Sequence, residues 1–383
     1  EVGHTIGLPH NMGSSYAYPV DRLRSKNFTS SHGVAPSIMD YARFNYVAQP
    51  EDNVTNFYPM VGTYDKWSVQ WGYSYFDGES TTSEQKILND WIKSHAGDYE
   101  YWFGYRNGID PRSQTESIGD DNMKASYYGL ENLKRILPKI MKWSYEEGKE
   151  YDELKELYLN IISQFRRYIG HVTTNVGGIF EDIKSYDQEG SIYVHVPKNQ
   201  QKRAVIFLNS YVFNSFNWIV DYEVLEKIEN IGSVERIRQI QMYALNGLFN
   251  YSRLARMIEN EQKNKNLAYS INEMIQDLNK VIWKDLNSNT SINLYNRNLQ
   301  KGYINILFDI LKETKTQSSY SKRNGANIKF DESDIRPIIL SELMSLQKRI
   351  KSGLKQVKDK NTKDHLSYLN LLITQATENI LSE

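Results

Sequence analysis

The sequence predicts a mainly α protein, an irregular N-terminal segment followed by a long helical domain. Three observations carry that expectation. The first 76 residues crowd glycine, proline and aromatic side chains at irregular spacing. Farther along, apolar residues recur at steps of three and four or their sums, as in Val234, Ile237, Ala244, Leu248, Tyr251, Ala255 and Ile258. The same spacing returns near the end in Leu366, Leu369, Ile373, Ala376 and Ile380.

Taken in order, residues 1–76 read as loops hung on a few short helices. The polar stretch "YFDGESTTSEQ" (Tyr75–Gln85) reads as a turn, and residues 77–84 are the expected linker. Thr82 with Gln85 fits a capping box, in which each side chain satisfies the other's free backbone donor. Ser270 with Glu273 fits another. Residues 85–383 form the expected helical domain, divided near 186–197, where "SIYVHVP" (Ser191–Pro197) alternates as a short strand does.

Composition narrows the function. The formal net charge is −1, so no basic excess exists to track phosphates and a nucleic-acid partner is not expected. "RAVIFLNSYVFNSFNWIV" is broken by Asn209, Ser210, Asn214, Ser215 and Asn217, and no run reaches the ~18 apolar residues of a membrane span. Without cysteine the chain has no disulfide and no thiolate metal site. The 28 tyrosines admit a carbohydrate-binding helical module, although abundant Asn, Lys and Ile favour AT-rich codons as their source.

The chemistry gathers at the start, "EVGHTIGLPHNMG". The pattern is E-x-x-H-x-x-G-x-x-H, with Glu1, His4, Gly7 and His10 in place. A glycine permits a backbone conformation that other residues resist, and Pro9 keeps a helix from continuing, so the chain can swing back and bring His10 beside His4. Two histidines around a glycine also suit an ordinary helix end. A second stretch, "APSIMDYARFNY", holds Ser37, Ile38, Met39, Asp40 and Tyr41 at a plausible distance downstream. A lone methionine usually just fills a core gap.

With a histidine placed before Glu1, the first stretch resembles the H-E-x-x-H-x-x-G-x-x-H signature of the metzincin proteases, and "SIMDY" resembles their Met-turn. Both, with "YDKWSVQWGY" (Tyr64–Tyr73), resemble bacterial exported zinc metalloproteases, matrixin-like metzincins with a large helical C-terminal region. "YRNGIDPRSQTESIGDDNMKAS" and "VPKNQQKRAVIFLNSYVF" resemble stretches of that region. The resemblance implies that residues 1–76 are the C-terminal part of a metzincin domain, with His4 and His10 as zinc ligands. It implies Glu1 as general base, Met39 as apolar floor beneath the histidines and Tyr41 as aid to the oxyanion. Three nitrogen ligands leave zinc a fourth position for a water whose pKa falls to about 7. A protein or peptide substrate and a periplasmic, cell-surface or secreted location follow as expectations.

The first zinc ligand of that signature is not in the chain, nor is the N-terminal half of a metzincin domain. The expectation is therefore a C-terminal fragment of a larger endopeptidase, inactive by itself. The alternative is a non-catalytic binding or scaffolding protein with a degenerate metzincin shell. Asp110, Glu116, Asp120 and Asp121 offer oxygen donors to calcium, without the spacing of a calcium loop. His32 reads as a surface-loop histidine rather than a cleft residue, His95, His171, His195 and His365 read as structural, and Phe44 and Tyr46 as pocket wall or core. Oligomeric state is not legible.

Overall fold

A computed structural model describes every residue except 43, 106–107, 215, 231, 288–290, 313–331 and 383, and the side chains of 287 and 379–382 also lie outside the described residues. The protein is mainly α, and the strands among the described residues are β1 (Ile179–Glu181) and β2 (Tyr193–His195). They pair antiparallel with Phe180 opposite Val194, so "SIYVHVP" is extended as its alternation predicts. The chain groups into two compact units, residues 1–139 with 167–196 and residues 140–166 with 197–383.

The first unit holds α1 (Val2–Thr5), α2 (Val20–Leu23), α3 (Lys26–His32), α4 (Thr63–Tyr73), α5 (Thr81–Ser94) and α6 (Asn122–Ile136). Between α3 and α4 the backbone has no regular ladder, yet its polar groups still need partners. Side-chain amides supply them. Asn45 donates to Leu23 O (2.7 Å) and accepts from the N–H groups of Val47 and Ala48. Asn132 of α6 donates to Tyr46 O (3.0 Å) and Ala48 O (2.9 Å). Around them Leu23, Val34, Ala35, Val47, Ile118 and Ala125 are fully enclosed. Tyr46 belongs to this core, its hydroxyl accepting from Ile118 N–H, whereas Phe44 is exposed.

Helix α5 starts earlier than its sequence suggests. Its cap is Ser80, whose Oγ accepts from Ser83 N–H (3.2 Å), and Thr82 already lies inside the helix. "ESTTSEQ" holds several hydroxyls able to cap, and Ser80 is the first of them with a donor three residues on. The Ser270–Glu273 box forms as expected, with both reciprocal bonds present.

The second unit is built from stripes of apolar side chains. Helix α7 (Ile140–Trp143) is followed by α8 (Asp152–Thr173), whose residues up to 166 belong to this unit and contribute Leu154, Tyr158 and Phe165 to its core. Next come α9 (Lys198–Leu208), a π-helical turn over Asn209–Phe213, α10 (Tyr222–Ile228), α11 (Ser233–Leu248) and α12 (Tyr251–Asn264). Helices α13 (Ile271–Ile282), α14 (Leu294–Lys312), α15 (Ile335–Leu354) and α16 (Lys360–Ser382) complete it. The periodic run 234–258 is thus two helices, parted at Phe249–Asn250. Helix α14 packs against α11, α15 and α16. Ile339, Leu343, Leu346 and Ile350 line one face of α15, all wholly buried. Leu366, Leu369, Ile373 and Ala376 are buried on α16, while the Ile380 side chain lies outside the described residues. No helix among the described residues is long and apolar enough to cross a membrane.

Candidate metal centre

The centre is assembled by a short helix, a turn and one distant loop. Helix α1 is a single turn, and the chain leaves it at Gly7, whose φ of +86° lies in the left-handed region that side chains disfavour. Leu8 N–H bonds back to Gly3 O (3.0 Å), closing the turn. His10 then meets His4 edge to face, the ring centroids 4.6 Å apart at 83°. Tyr41 also stands edge to face against His10, 5.4 Å between centroids.

The ring nitrogens are sorted by their neighbours. His4 Nδ1 faces Leu8 O at 2.9 Å, and His10 Nδ1 faces Met39 O at 3.2 Å. A carbonyl oxygen only accepts, so each Nδ1 carries a proton, and in the neutral ring that leaves Nε2 its lone pair. A metal-ligating histidine is arranged in this way, one nitrogen fixed on a carbonyl and the other open as donor. The chemistry of this donor pair fits zinc. His4 is exposed and His10 half-buried, so a ligand reaches them from solvent.

Met39 is buried at 4 % exposure beneath this turn. A Cβ added at Gly3 would lie 2.2 Å from Met39 Sδ, so the thioether packs directly on the helix carrying His4. The loop bearing Met39 is tied to α4. Asp65 accepts from Ser37 Oγ (2.6 Å) and Ile38 N–H (2.9 Å), and Ser37 Oγ accepts in turn from Met39 N–H (3.0 Å). Asp40 is buried too, and burial pushes its carboxyl up to about 7 although Ser15 N–H donates to it. Tyr41 O accepts from Glu116 N–H (3.1 Å), and the Glu116 carboxylate pairs with Arg167 of α8.

Glu1, His4, Gly7, His10, Met39 and Tyr41 therefore lie on one short stretch and the loop beside it. The packing and hydrogen-bonding roles of Gly3, Asn11, Asp40 and Asp65 are not assigned by the sequence pattern. Gly3 had a signal, because glycine inside a helix is destabilising unless packing demands it. Asn11, Asp40 and Asp65 had none, since their partners are remote in sequence.

The acidic stretch at 110–121 lends calcium no support. Asp110 takes the Arg112 guanidinium, Glu116 takes Arg167, Asp120 accepts from Val20 N–H, and Asp121 caps α6. Among the described residues no group of three or more His, Cys, Asp or Glu is placed to hold a metal ion, so His4 and His10 stand as a pair. The remaining histidines have structural partners in several cases. His32 stacks on Phe28, His95 stacks on Tyr101, His171 meets Thr115 O and His365 meets Gln300.

The two imidazoles meet edge to face, and the turn that carries them rests on a buried methionine. The chain belongs to the Met-zincin family, which it matches over residues 1–290. Membership implies zinc binding and a metalloprotease-type function at the level of the family. The match covers the whole first unit and continues into the second. No curated protein and no solved structure matches the chain.

Proposed function

We propose that the protein is a zinc-dependent endopeptidase in which His4 and His10 are two of the metal ligands. The observation that carries this reading is the sorting of the ring nitrogens. Both Nδ1 atoms are held on carbonyls, which leaves two Nε2 donors on adjacent rings. The family signature places a further histidine immediately before Glu1, as the remaining protein donor. Zinc, when bound, supplies Lewis-acid activation of a water at neutral pH. Glu1 is the general base, taking a proton from that water and returning it to the leaving amine. The Tyr41 hydroxyl donates to the carbonyl oxygen as it gains charge. Met39 supports the turn through Gly3.

The substrate is an unstructured protein or peptide chain. Residues 1–76 are the metzincin end of the protein, the helical region follows, and the location is periplasmic, at the cell surface or extracellular, in a bacterium. Hydrolysis of an unstructured protein by the chain extended upstream of Glu1 tests the reading, with zinc content measured alongside. Glu1→Gln in that chain is expected to hold zinc and lose about 10²–10⁴-fold in rate, the range of a general base. A parent that holds no zinc and cleaves nothing overturns it and leaves a binding scaffold built on a metzincin shell.

A further inference from the structure

We infer that Asn11 is a positioning residue for His10, latching the second imidazole to the segment 102–104 far along the chain. This rests on the reading of His10 as a zinc ligand.

Asn11 follows His10 directly and is completely buried. Its side-chain amide works as a piece of backbone would. Nδ2 donates to Trp102 O at 2.8 Å, and Oδ1 accepts from Gly104 N–H at 2.8 Å. Its own N–H donates to Met39 O at 3.0 Å. That is the oxygen which His10 Nδ1 also meets. One carbonyl therefore receives the Asn11 main chain and fixes the His10 tautomer. A shift of Asn11 moves both.

The far side of the latch is rigid. The Trp102 ring packs on the Arg112 guanidinium, 4.5 Å from its centroid, and Arg112 is ion-paired with Asp110 (2.8 Å) and Asp182 (3.0 Å). The backbones at Gly13 and Gly104 touch, because a Cβ on Gly104 would stand 2.7 Å from Gly13 Cα. Only an amide of this length supplies both a donor and an acceptor here. Aspartate keeps the shape and the acceptor for Gly104, but turns the donor to Trp102 O into a repelling oxygen. Partners that orient a ligating histidine typically set metal affinity by about 10- to 100-fold.

The test uses the 383-residue chain with ¹⁵N-labelled histidine, comparing parent, Asn11→Asp, Asn11→Ala and Gly104→Ala. In the parent, His10 is expected to show a protonated Nδ1 and a lone-pair Nε2. In the three variants it is expected to show mixed tautomers, with the apparent Zn²⁺ affinity of the histidine pair reduced about tenfold or more. His4 should keep its own tautomer, because its Nδ1 bonds within its own turn. A merely structural role would lower the melting temperature and leave the His10 tautomer and zinc response of the folded variant as in the parent. That result overturns the proposal, as does an equal change of tautomer at His4 and His10. A parent in which Zn²⁺ shifts neither histidine sinks the reading of the centre as a zinc site, while the tautomer comparison still decides the role of Asn11.

Discussion

In the first unit, irregular backbone between α3 and α4 is held by the amides of Asn45, Gln49 and Asn132, each reaching main-chain carbonyls. In the second, Ile339, Leu343, Leu346 and Ile350 recur along one face of α15 and make no polar contact at all. Regular helices satisfy their own backbone, so an apolar stripe is enough to fix them. A chain that must wind through turns to set two histidines edge to face has no such ladder. Its buried side chains take over the backbone's hydrogen bonds. The candidate residues sit where the fold is made of polar latches, and the periodic part carries none of them.

That contrast is sharpest at a core truncation in the second unit. Leu343→Ala is expected to destabilise it by about 2–5 kcal/mol, the range for a wholly buried leucine. Hydrogen exchange read peptide by peptide across α14, α15 and α16 checks this, and a loss below about 1 kcal/mol would mean that the stripe is not what holds these helices.

Acid should weaken both units, because each buries one neutral histidine. Burial lowers His171 to about 4 and His365 to about 3, from 6.5. The unfolded chain takes up each proton near pH 6.5, the folded chain only at the lowered value. The stability is therefore complete above about pH 6.5 and falls with pH, levelling near 4 for His171 and near 3 for His365. For His171 the loss is on the order of 3 kcal/mol. Urea unfolding at a series of pH values is expected to show this slope, flattened between pH 6.5 and 4 by His171→Gln. An unchanged slope in that variant would show that His171 is not its source.

The polar latches themselves give the smallest effect. Asn45→Ala leaves Leu23 O and two backbone N–H groups without their partner, at a cost of about 1–3 kcal/mol. Exchange should quicken at Val47 and Ala48 before it does elsewhere in the first unit. Protection unchanged at those two amides would erase the distinction between the regions.

The same contrast explains what the sequence disclosed. The stripes of α11, α12 and α16 were readable because packing repeats with the helix. The Ser270–Glu273 box was readable because both partners lie within one turn, whereas the start of α5 slid from Thr82 to Ser80 among interchangeable hydroxyls. In the centre, His4, Gly7 and His10 are local and follow a pattern. Asn11 meets Trp102 and Gly104 across some ninety residues, and Asp65 meets Ser37 across 28, which leaves no period to detect.

Met39 performs two separable tasks. Its sulfur fills the space that Gly3 leaves open, while its carbonyl oxygen holds His10 and Asn11. The first task belongs to a side chain and the second to the main chain, which every amino acid shares. A leucine at that position would change the floor and leave the hinge pin in place. The part of the residue that holds the imidazole thus carries no letter in the genetic text, and only geometry records it.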